Sequence, residues 1–294
     1  MAFFPGFTER RVHAHEVEIN AVIGGAGPPL LLLHGYPQTH LIWHKIAARL
    51  AERFTIVATD LRGYGDSSQP PAGENHAAYS KRAMALDQVE VMRALGHERF
   101  AVAGHDRGAR VAHRMALDHP RHIDRLALID IVPTLHVYDN VTQAVASAYF
   151  HWFFLIQPND FPEHYIGHDP ARWINAVFGR WGADEKAFPA AVRAEYLRCF
   201  ERPEAIRASC DDYRAAAGID LVHDRADIKQ KIGCPTLILW GANGVVGKNY
   251  DVLSIWAKRA LHPRGLVLEC GHFLPEERPE ETLQAMLDFF GEEE

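Results

Sequence analysis

The stretch Phe100-Ala-Val-Ala-Gly-His-Asp-Arg-Gly-Ala-Arg110 decides the fold. An apolar, β-branched run from Phe100 to Ala103 ends at Gly104, and a pattern typical of a helix then continues to His119. This order predicts a strand, a sharp turn and a helix, with Asp106 at the turn. One glycine stands two residues before Asp106 and another two residues after it, at positions where side chains would clash.

The pattern Gly-x-nucleophile-x-Gly resembles the nucleophile elbow of α/β-hydrolases, in which a strained turn holds one side chain above the sheet. Here the nucleophile position holds Asp106 and not serine. An aspartate that attacks an alkyl carbon leaves an ester on the enzyme, which water can hydrolyse at the Asp carbonyl. The elbow therefore indicates displacement at saturated carbon. The alternative is that Asp106 only caps the helix that begins at Arg107, whose positive dipole end favours an ionised carboxylate.

The composition bounds the class of protein. A chain of 294 residues, 48% hydrophobic and 23% charged, suits one large α/β domain or a core with an inserted cap. A net charge of −7 without a Lys/Arg run argues against nucleic acid or an anionic membrane as partner. No stretch has the pattern of a signal peptide or the length of a membrane span. We expect a cytoplasmic protein with free thiols at its four widely spaced cysteines, and neither metal nor cofactor.

Strand patterns alternate with helical patterns, which predicts a mostly parallel sheet flanked by helices. The expected strands are an antiparallel pair within 11–23 and buried strands at 30–33, 54–60, 100–103, 125–131, 234–241 and 265–270; the expected helices include 43–54 and 80–95. Residues 134–223 are rich in aromatic residues and helical periodicity, without buried-strand runs. We therefore predict an α/β-hydrolase core of residues 1–133 and 224–294, with a helical cap at 134–223 over the carboxyl ends of the strands.

His272 is the candidate base, because it follows the last predicted strand in Gly271-His-Phe273. Its orienting acid offers a choice between Asp130, at the end of a buried strand, and Asp251, the nearest carboxylate after the penultimate strand. A carboxylate between two isoleucines at a buried strand end needs a partner, and the order Asp106, Asp130, His272 keeps nucleophile, acid and base in sequence. We favour Asp130.

The geometry of a nucleophile elbow also predicts an oxyanion hole. The backbone N–H of Arg107, directly after the nucleophile, would act with that of Tyr36, which follows His34-Gly35. These donors would serve the hydrolysis of the Asp106 ester, because the ester carbonyl belongs to the enzyme.

Arg107 and Arg110 point to the kind of substrate. Both lie in the first turn of the elbow helix, where a cation opposes the helix dipole by about 0.3–1 kcal/mol. Two disfavoured cations beside a nucleophile suggest capture of a substrate carboxylate, which a guanidinium can bind with two hydrogen bonds. The alternative is that each pairs with an acidic side chain of the protein. Arg114, one turn further, is expected in a structural ion pair.

Three residues of the predicted cap could present polar hydrogens to the site: His151, Trp152 and Tyr213. On spacing alone, each is expected in the core.

Together these residues resemble the fluoroacetate dehalogenases, and the resemblance spans the whole chain. The motifs that carry it are His34-Gly-Tyr-Pro37, Gly104-His-Asp-Arg-Gly-Ala-Arg110, Asp130, His151-Trp152, Tyr213 and Gly271-His272. The resemblance implies that Asp106 is the nucleophile, His272 the base and Asp130 its partner. It also implies that Arg107 and Arg110 bind the substrate carboxylate.

The resemblance further implies that His151, Trp152 and Tyr213 bind the departing fluoride, which replaces the core interpretation of His151 and Trp152. It implies a homodimer that hydrolyses a small haloacid, fluoroacetate, to glycolate and fluoride. Two departures are minor. Tyr36 stands where related enzymes often have Phe, and Ala109 lies between the arginines, and neither departure removes a catalytic group.

Two other functions stay open. An epoxide hydrolase could use Tyr149 or Tyr165 together with Tyr213 to protonate an alkoxide, but would leave Arg107 and Arg110 unexplained. A non-catalytic ligand receptor on the same fold would often lack a member of the triad, whereas candidates for all three are present here.

Overall fold

A computed structural model describes residues 3–182 and 184–292, without the side chain of Glu185. Its strands are β1 Thr8–Ala14, β2 Val17–Gly24, β3 Pro29–Leu33, β4 Thr55–Thr59, β5 Phe100–His105, β6 Ile123–Ile129, β7 Thr236–Gly241 and β8 Pro263–Leu268. In the described part of the chain they form one sheet in the order β1-β2-β4-β3-β5-β6-β7-β8. The strands from β4 to β8 pair in parallel, and β2 is antiparallel to both β1 and β4. The predicted mostly parallel sheet and its N-terminal antiparallel pair are confirmed.

Helices cover the connections. The core helices are α1 Ala47–Leu50, α2 Lys81–Ala94, α3 Arg107–Asp118, α12 Val245–Asn249, α13 Val252–Trp256, α14 Leu274–Glu277 and α15 Pro279–Phe290. Between β6 and β7 lie α4 Thr134–Asp139, α5 Gln143–Ala148, α6 Phe150–Phe154, α7 Phe161–His168, α8 Pro170–Trp181, α9 Ala190–Phe200, α10 Pro203–Ala217 and α11 Ile219–Ala226. Short 3₁₀ helices span His40–Trp43, Glu74–Tyr79 and Glu185–Ala187.

One predicted helix, 43–54, is mostly wrong. A 3₁₀ turn ends at Trp43 and only the short α1 follows it. The chain turns between them, where the Lys45 ammonium donates to the backbone oxygens of Ala187 and Glu276, both at 2.7 Å. These tertiary bonds outweigh the local apolar periodicity.

The central strands of the sheet are buried on both faces, as their continuous apolar runs require. The edge strands are exposed along most of their length, so the buried strand expected at 265–270 is wrong in its burial: β8 buries only Leu268. Successive residues of β3 enter different clusters: Leu31 and Leu33 pack on one side, while Leu30 and Leu32 pack on the other. The elbow helix α3 belongs to the first side, where it packs on α2 and β5.

The insertion between β6 and β7, which we call the cap, is helical in the described residues. The predicted boundary at residue 223 falls inside α11. The cap bonds to the core through polar contacts near the strand ends, such as the Tyr196 hydroxyl donating to Glu276 at 2.7 Å. No helix in the described part of the chain combines the length and apolarity needed to cross a bilayer.

Candidate active site

Asp106 lies on a strained turn between β5 and α3, with φ 48° and ψ −113°. A positive φ at a non-glycine residue costs roughly 1–3 kcal/mol and is typical of functional sites. The carboxylate makes no capping bond to the helix, so the alternative that it serves only as a cap is wrong. Instead its Oδ1 accepts from the backbone N–H of Tyr36 at 2.9 Å.

Three glycines permit this turn. A Cβ on Gly104 would lie 2.5 Å from the Gly108 oxygen, and one on Gly108 would lie 2.4 Å from the His34 oxygen. A Cβ on Gly35 would lie 2.4 Å from the Cβ of Asp106 itself. The strand, the helix and the loop after β3 therefore approach one another too closely for any side chain at these positions.

His272 lies beside Asp106 and is held by Asp130. Its Nδ1 is 2.6 Å from Asp130 Oδ2, and its Nε2 is 3.9 Å from Asp106 Oδ2. The second oxygen of Asp130 accepts from the Gly241 N–H at 3.0 Å. Because a carboxylate only accepts, Nδ1 carries a proton and Nε2 faces Asp106, the predicted nucleophile. Asp251, the other candidate acid, is exposed and caps α13.

The charges of the site keep Asp106 ionised. Burial raises its pKa, but His272, Arg110, His105 and Arg107 outweigh burial and lower the pKa to about 2. For His272 burial lowers the pKa, and the carboxylates of Asp130 and Asp106 together bring it above 6.5. The charge states of His272 and Asp106 are therefore coupled, because each group favours the charged form of the other.

Of the two predicted carboxylate-binding residues, Arg107 has an acidic partner. Its Nε and Nη2 donate to Asp212 of α10 at 2.9 and 2.6 Å, and both side chains are completely buried. The alternative that Arg107 pairs with an acidic side chain of the protein therefore holds for its Nε and Nη2. Its Nη1 is buried without a hydrogen-bond partner among the described residues.

Arg110 makes neutral contacts instead. Its Nη1 donates to the Val132 oxygen at 3.0 Å and to Thr134 Oγ1 at 2.9 Å. Its Nε is buried and, within the ranges that the structure describes, has no partner. Arg114 pairs with Asp118 at 2.6 Å, which confirms the structural ion pair expected there.

The cap places two of the three predicted halide ligands, Tyr213 and Trp152, against these arginines, and the third, His151, packs on Tyr213. The Arg107 guanidinium carbon lies 4.2 Å from the Tyr213 ring centroid, and that of Arg110 lies 4.7 Å from the Trp152 ring. The His151 ring packs on Tyr213 with a centroid distance of 5.5 Å. Burial lowers the pKa of His151 well below 6.5, so the ring is neutral. Its Nδ1 is another buried atom with no partner in the described structure.

The chain matches the α/β hydrolase fold family over residues 28–279. It is an α/β-hydrolase.

Proteins similar to this chain include both a dehalogenase and an epoxide hydrolase. The hydrolase is 43% identical to a fluoroacetate dehalogenase from Burkholderia sp over 290 residues, 98% of this chain and 95% of that one. It is 33% identical to a soluble epoxide hydrolase from Corynebacterium sp. over 285 residues, 94% and 96% of the two chains. A solved putative α/β hydrolase from Nostoc sp is 58% identical and superimposes with a TM-score of 0.96, covering 97% and 98%.

Sequence reasoning missed three residues that support the site of the hydrolase. Asp212 holds Arg107, but nothing in the sequence links two residues 105 positions apart. Glu277 accepts from the N–H groups of Gly271 and Phe273, both at 2.9 Å, and so clamps the loop on either side of the base. Trp181 has a buried indole N–H with no partner in the described ranges. Its ring centroid lies 4.3 Å from that of His151.

A cluster of possible metal ligands lies outside this site. Among the described residues, Asp66, Glu195 and Cys199 are close enough to share an ion. The Arg198 guanidinium already pairs with Asp66 at 2.6 Å and with Glu195 at 2.7 Å. The cluster is thus an ion pair between carboxylates and an arginine. All four cysteines are free, as expected.

Proposed function

We propose that this hydrolase is a haloacetate dehalogenase that converts fluoroacetate and water to glycolate and fluoride through an ester on Asp106. One observation carries the proposal: beside an ionised carboxylate, Arg107 Nη1 and Arg110 Nε are buried donors without partners in the described structure. A buried N–H without a partner costs about 1–3 kcal/mol, so these groups await an acceptor. A small carboxylate fits that requirement.

In the first step the two guanidinium N–H groups bind the carboxylate of the haloacetate. Asp106 Oδ2 attacks the carbon that bears the halogen, because Oδ1 is bound to the Tyr36 N–H. An O–C bond forms, and the carbon–halogen bond breaks with its electron pair on the halide. The substrate's negative end is held beside the nucleophile, which converts the attack into an effectively unimolecular step.

Fluoride is small and strongly hydrated, so a dry site must supply donors where its charge develops. Neutral His151 can supply one ring N–H. Burial raises the pKa of Tyr213 well above 10, which keeps its hydroxyl a donor. With the indole of Trp152 these groups form the proposed fluoride pocket.

In the second step His272 takes a proton from water, and the resulting hydroxide attacks the Asp106 carbonyl carbon. The oxyanion is stabilised by the N–H groups of Tyr36 and Arg107. Collapse breaks the ester, and the protonated His272 returns its proton to the departing glycolate oxygen, while the carboxyl group left on Asp106 loses its own proton to solvent. Alkylation also removes the negative charge of Asp106 that helps to keep His272 protonated. Forming the ester therefore favours the neutral base that the second step requires.

A fluoride electrode tests the proposal directly. The wild-type protein should release fluoride from fluoroacetate, and Asp106→Asn should release none. A single turnover in ¹⁸O-water should place the label in Asp106 and leave the product unlabelled. Label that enters the product first would exclude the ester and leave direct attack by water.

An epoxide hydrolase is the second candidate, favoured by the similarity to the Corynebacterium enzyme. Tyr149 is buried and stacks on Trp152 with a centroid distance of 5.3 Å, so it could act with Tyr213 on an alkoxide. Tyr165 is 59% exposed and is not suited to that role. Turnover of a neutral epoxide without any turnover of haloacetate would favour this candidate, and a failure of both reactions would favour a non-catalytic receptor.

The resemblance noted in the sequence also supports a homodimer as part of this proposal. Light scattering on the purified protein would measure its mass in solution, and a monomer would contradict it.

A further inference from the structure

We propose that Asp212 is a positioning residue that directs Arg107 toward a substrate carboxylate and away from the nucleophile Asp106. The inference rests on the proposed function and deepens it, because it assigns the discrimination between anionic and neutral substrates to a residue of the cap.

Arg107 needs such a partner because of where it stands. It follows Asp106 directly in the chain, and guanidinium and carboxylate groups readily pair through two parallel hydrogen bonds. An Arg107–Asp106 pair would occupy the attacking oxygen and the substrate's donors at once. The structure prevents it, because Asp212 already accepts from Nε and Nη2, at 2.9 and 2.6 Å. The Asp212 backbone oxygen accepts from Nη2 as well, at 2.9 Å.

Asp212 is itself held from three sides. Besides Arg107, it accepts from the Tyr64 hydroxyl at 2.7 Å and from the Lys81 ammonium. Tyr213, the next residue on α10, lays its ring against the same guanidinium. Two consecutive residues of one cap helix thus fix the edge and the face of Arg107. The bonds leave only Nη1 directed elsewhere.

The charges support the same assignment. Asp212 offsets the Arg107 charge, and Lys81 lies 3.8 Å from a second carboxylate, Asp220. These four buried charges sum to zero, so the network itself adds no net charge to the site. What it supplies is direction: Nη1 of Arg107 and Nε of Arg110, on two side chains, are buried nitrogens left without a partner in the described structure. Two separate donors match the two oxygens of a small carboxylate, and a neutral amide has only one comparable acceptor.

The test compares Asp212→Asn with the wild-type protein. Acetate serves as an unreactive carboxylate probe, measured by calorimetry, and chloroacetate and chloroacetamide serve as a charged and a neutral substrate. We expect the Kd for acetate to rise about tenfold or more, because an Arg107 released from Asp212 can pair with Asp106 and is then lost to acetate. The ratio of kcat/KM for chloroacetate to that for chloroacetamide should fall by a similar factor.

Asp220→Asn is the matched control, because Asp220 contacts Lys81 in the same buried network without touching Arg107. It should lower the thermal stability and leave both the acetate Kd and the substrate ratio within about twofold of wild type. If Asp212→Asn alone does not fold, the double variant Lys81→Met/Asp212→Asn removes both charges together and should show the same loss of acetate affinity.

An unchanged acetate Kd and substrate ratio in Asp212→Asn, or an equal loss in Asp220→Asn, would overturn the inference. Wild-type protein that binds acetate but releases no halide would contradict the proposed function, and the acetate measurement would still decide the role of Asp212. Wild-type protein that binds no acetate would overturn the inference.

Discussion

The two oxygens of the Asp106 carboxylate have different surroundings. Oδ1 is fixed by the Tyr36 N–H at 2.9 Å, while Oδ2 faces His272 Nε2 at 3.9 Å. That separation leaves His272 without a hydrogen bond to the nucleophile, which suits a base that acts on water rather than on Asp106. These two environments support the proposed roles of Asp106 as nucleophile and His272 as base.

Replacing the base should separate the two chemical steps. In His272→Asn the alkylation of Asp106 needs no proton transfer and should continue, whereas ester hydrolysis should stop. Mass spectrometry of the digested protein, after incubation with a haloacetate, should show one carboxymethyl group on the Asp106 peptide. The double variant Asp106→Asn/His272→Asn is the control and should remain unmodified. An unmodified Asp106 peptide in His272→Asn would show that His272 is needed before the ester forms.

The pKa of His272 should depend on the charge of Asp106. In the wild-type protein it lies above 6.5, so His272 is protonated below that value and loses its proton as the pH rises through it. Asp106→Asn removes one stabilising carboxylate and should lower the pKa of His272, as should alkylation. An NMR titration of the ring hydrogens measures the difference. Asp66→Asn, at a distant ion pair, should not change it. Equal pKa values in all three proteins would contradict the proposed coupling.

At the scale of single elements, the contact between β5, α3 and the loop after β3 sets the position of the nucleophile. The hydrogen bond from the Gly108 N–H to the His34 oxygen, 2.8 Å long, ties the helix to that loop. Glycine is needed there for lack of space and not for its backbone freedom, since no positive φ is found at Gly108.

Two glycine substitutions should therefore act in opposite directions. Gly108→Ala would place a Cβ 2.4 Å from the His34 oxygen and should lower the free energy of unfolding by about 1–3 kcal/mol, with loss of halide release. Gly167→Ala, in α7 with no atom within 4 Å of the added Cβ, should raise it by about 0.5–1 kcal/mol and leave activity unchanged. Urea denaturation measures both. A stable, active Gly108→Ala would mean that the elbow can relax.

The elements that the sequence predicts well are those whose signals are local. The elbow was accessible because glycines and Asp106 occur together within five residues, and Asp130 because a carboxylate at a buried strand end needs a partner. The prediction of a helix at 43–54 was wrong because Lys45 bonds to backbone oxygens far away in the chain, and such contacts leave no local signal in the sequence. Asp212 was missed for the same reason. Within a helix, its sequence neighbours say nothing about Arg107.

At the scale of the whole molecule, the cap and core meet through buried polar groups as well as apolar ones. Glu276 of α14 is buried, accepts from the Tyr196 hydroxyl of the cap, and lies 3.5 Å from the Lys45 ammonium. Its other carboxylate oxygen, Oε2, is the one that Lys45 Nζ and His44 Nδ1 approach, at 3.5 and 3.8 Å, and it has no closer partner within the described ranges. Such a group resists ionisation: burial raises the pKa of Glu276 to about 8.

This junction should make stability depend on pH. In the unfolded chain Glu276 loses its proton near pH 4.5, but in the folded protein it keeps the proton to about pH 8. Between these values the folded state binds more protons, so its stability falls as the pH rises. Glu276→Gln should remove this loss. Its melting temperature should match the wild type near pH 4.5 and exceed it increasingly toward pH 8.

The control for this comparison is Glu280→Gln, which alters an exposed carboxylate at the start of the next helix, α15, where it pairs with the exposed Arg49. Its melting temperature should follow the wild type at every pH. A Glu276→Gln protein that is less stable than the wild type at pH 8 would show that the carboxylate is ionised and paired in the folded state.

In the proposed reaction, the bond from the Tyr36 N–H to Oδ1 would keep the two oxygens of Asp106 distinct from one cycle to the next. When water replaces the alkyl oxygen, the newcomer takes the place of Oδ2, and the tethered oxygen cannot exchange places with it unless the carboxylate turns over. The atom delivered by solvent in one cycle thus becomes the hydroxyl oxygen of the next glycolate. In ¹⁸O-water, the second glycolate released from each enzyme molecule should be fully labelled at its hydroxyl oxygen. A carboxylate that rotates freely between cycles would give half that labelling.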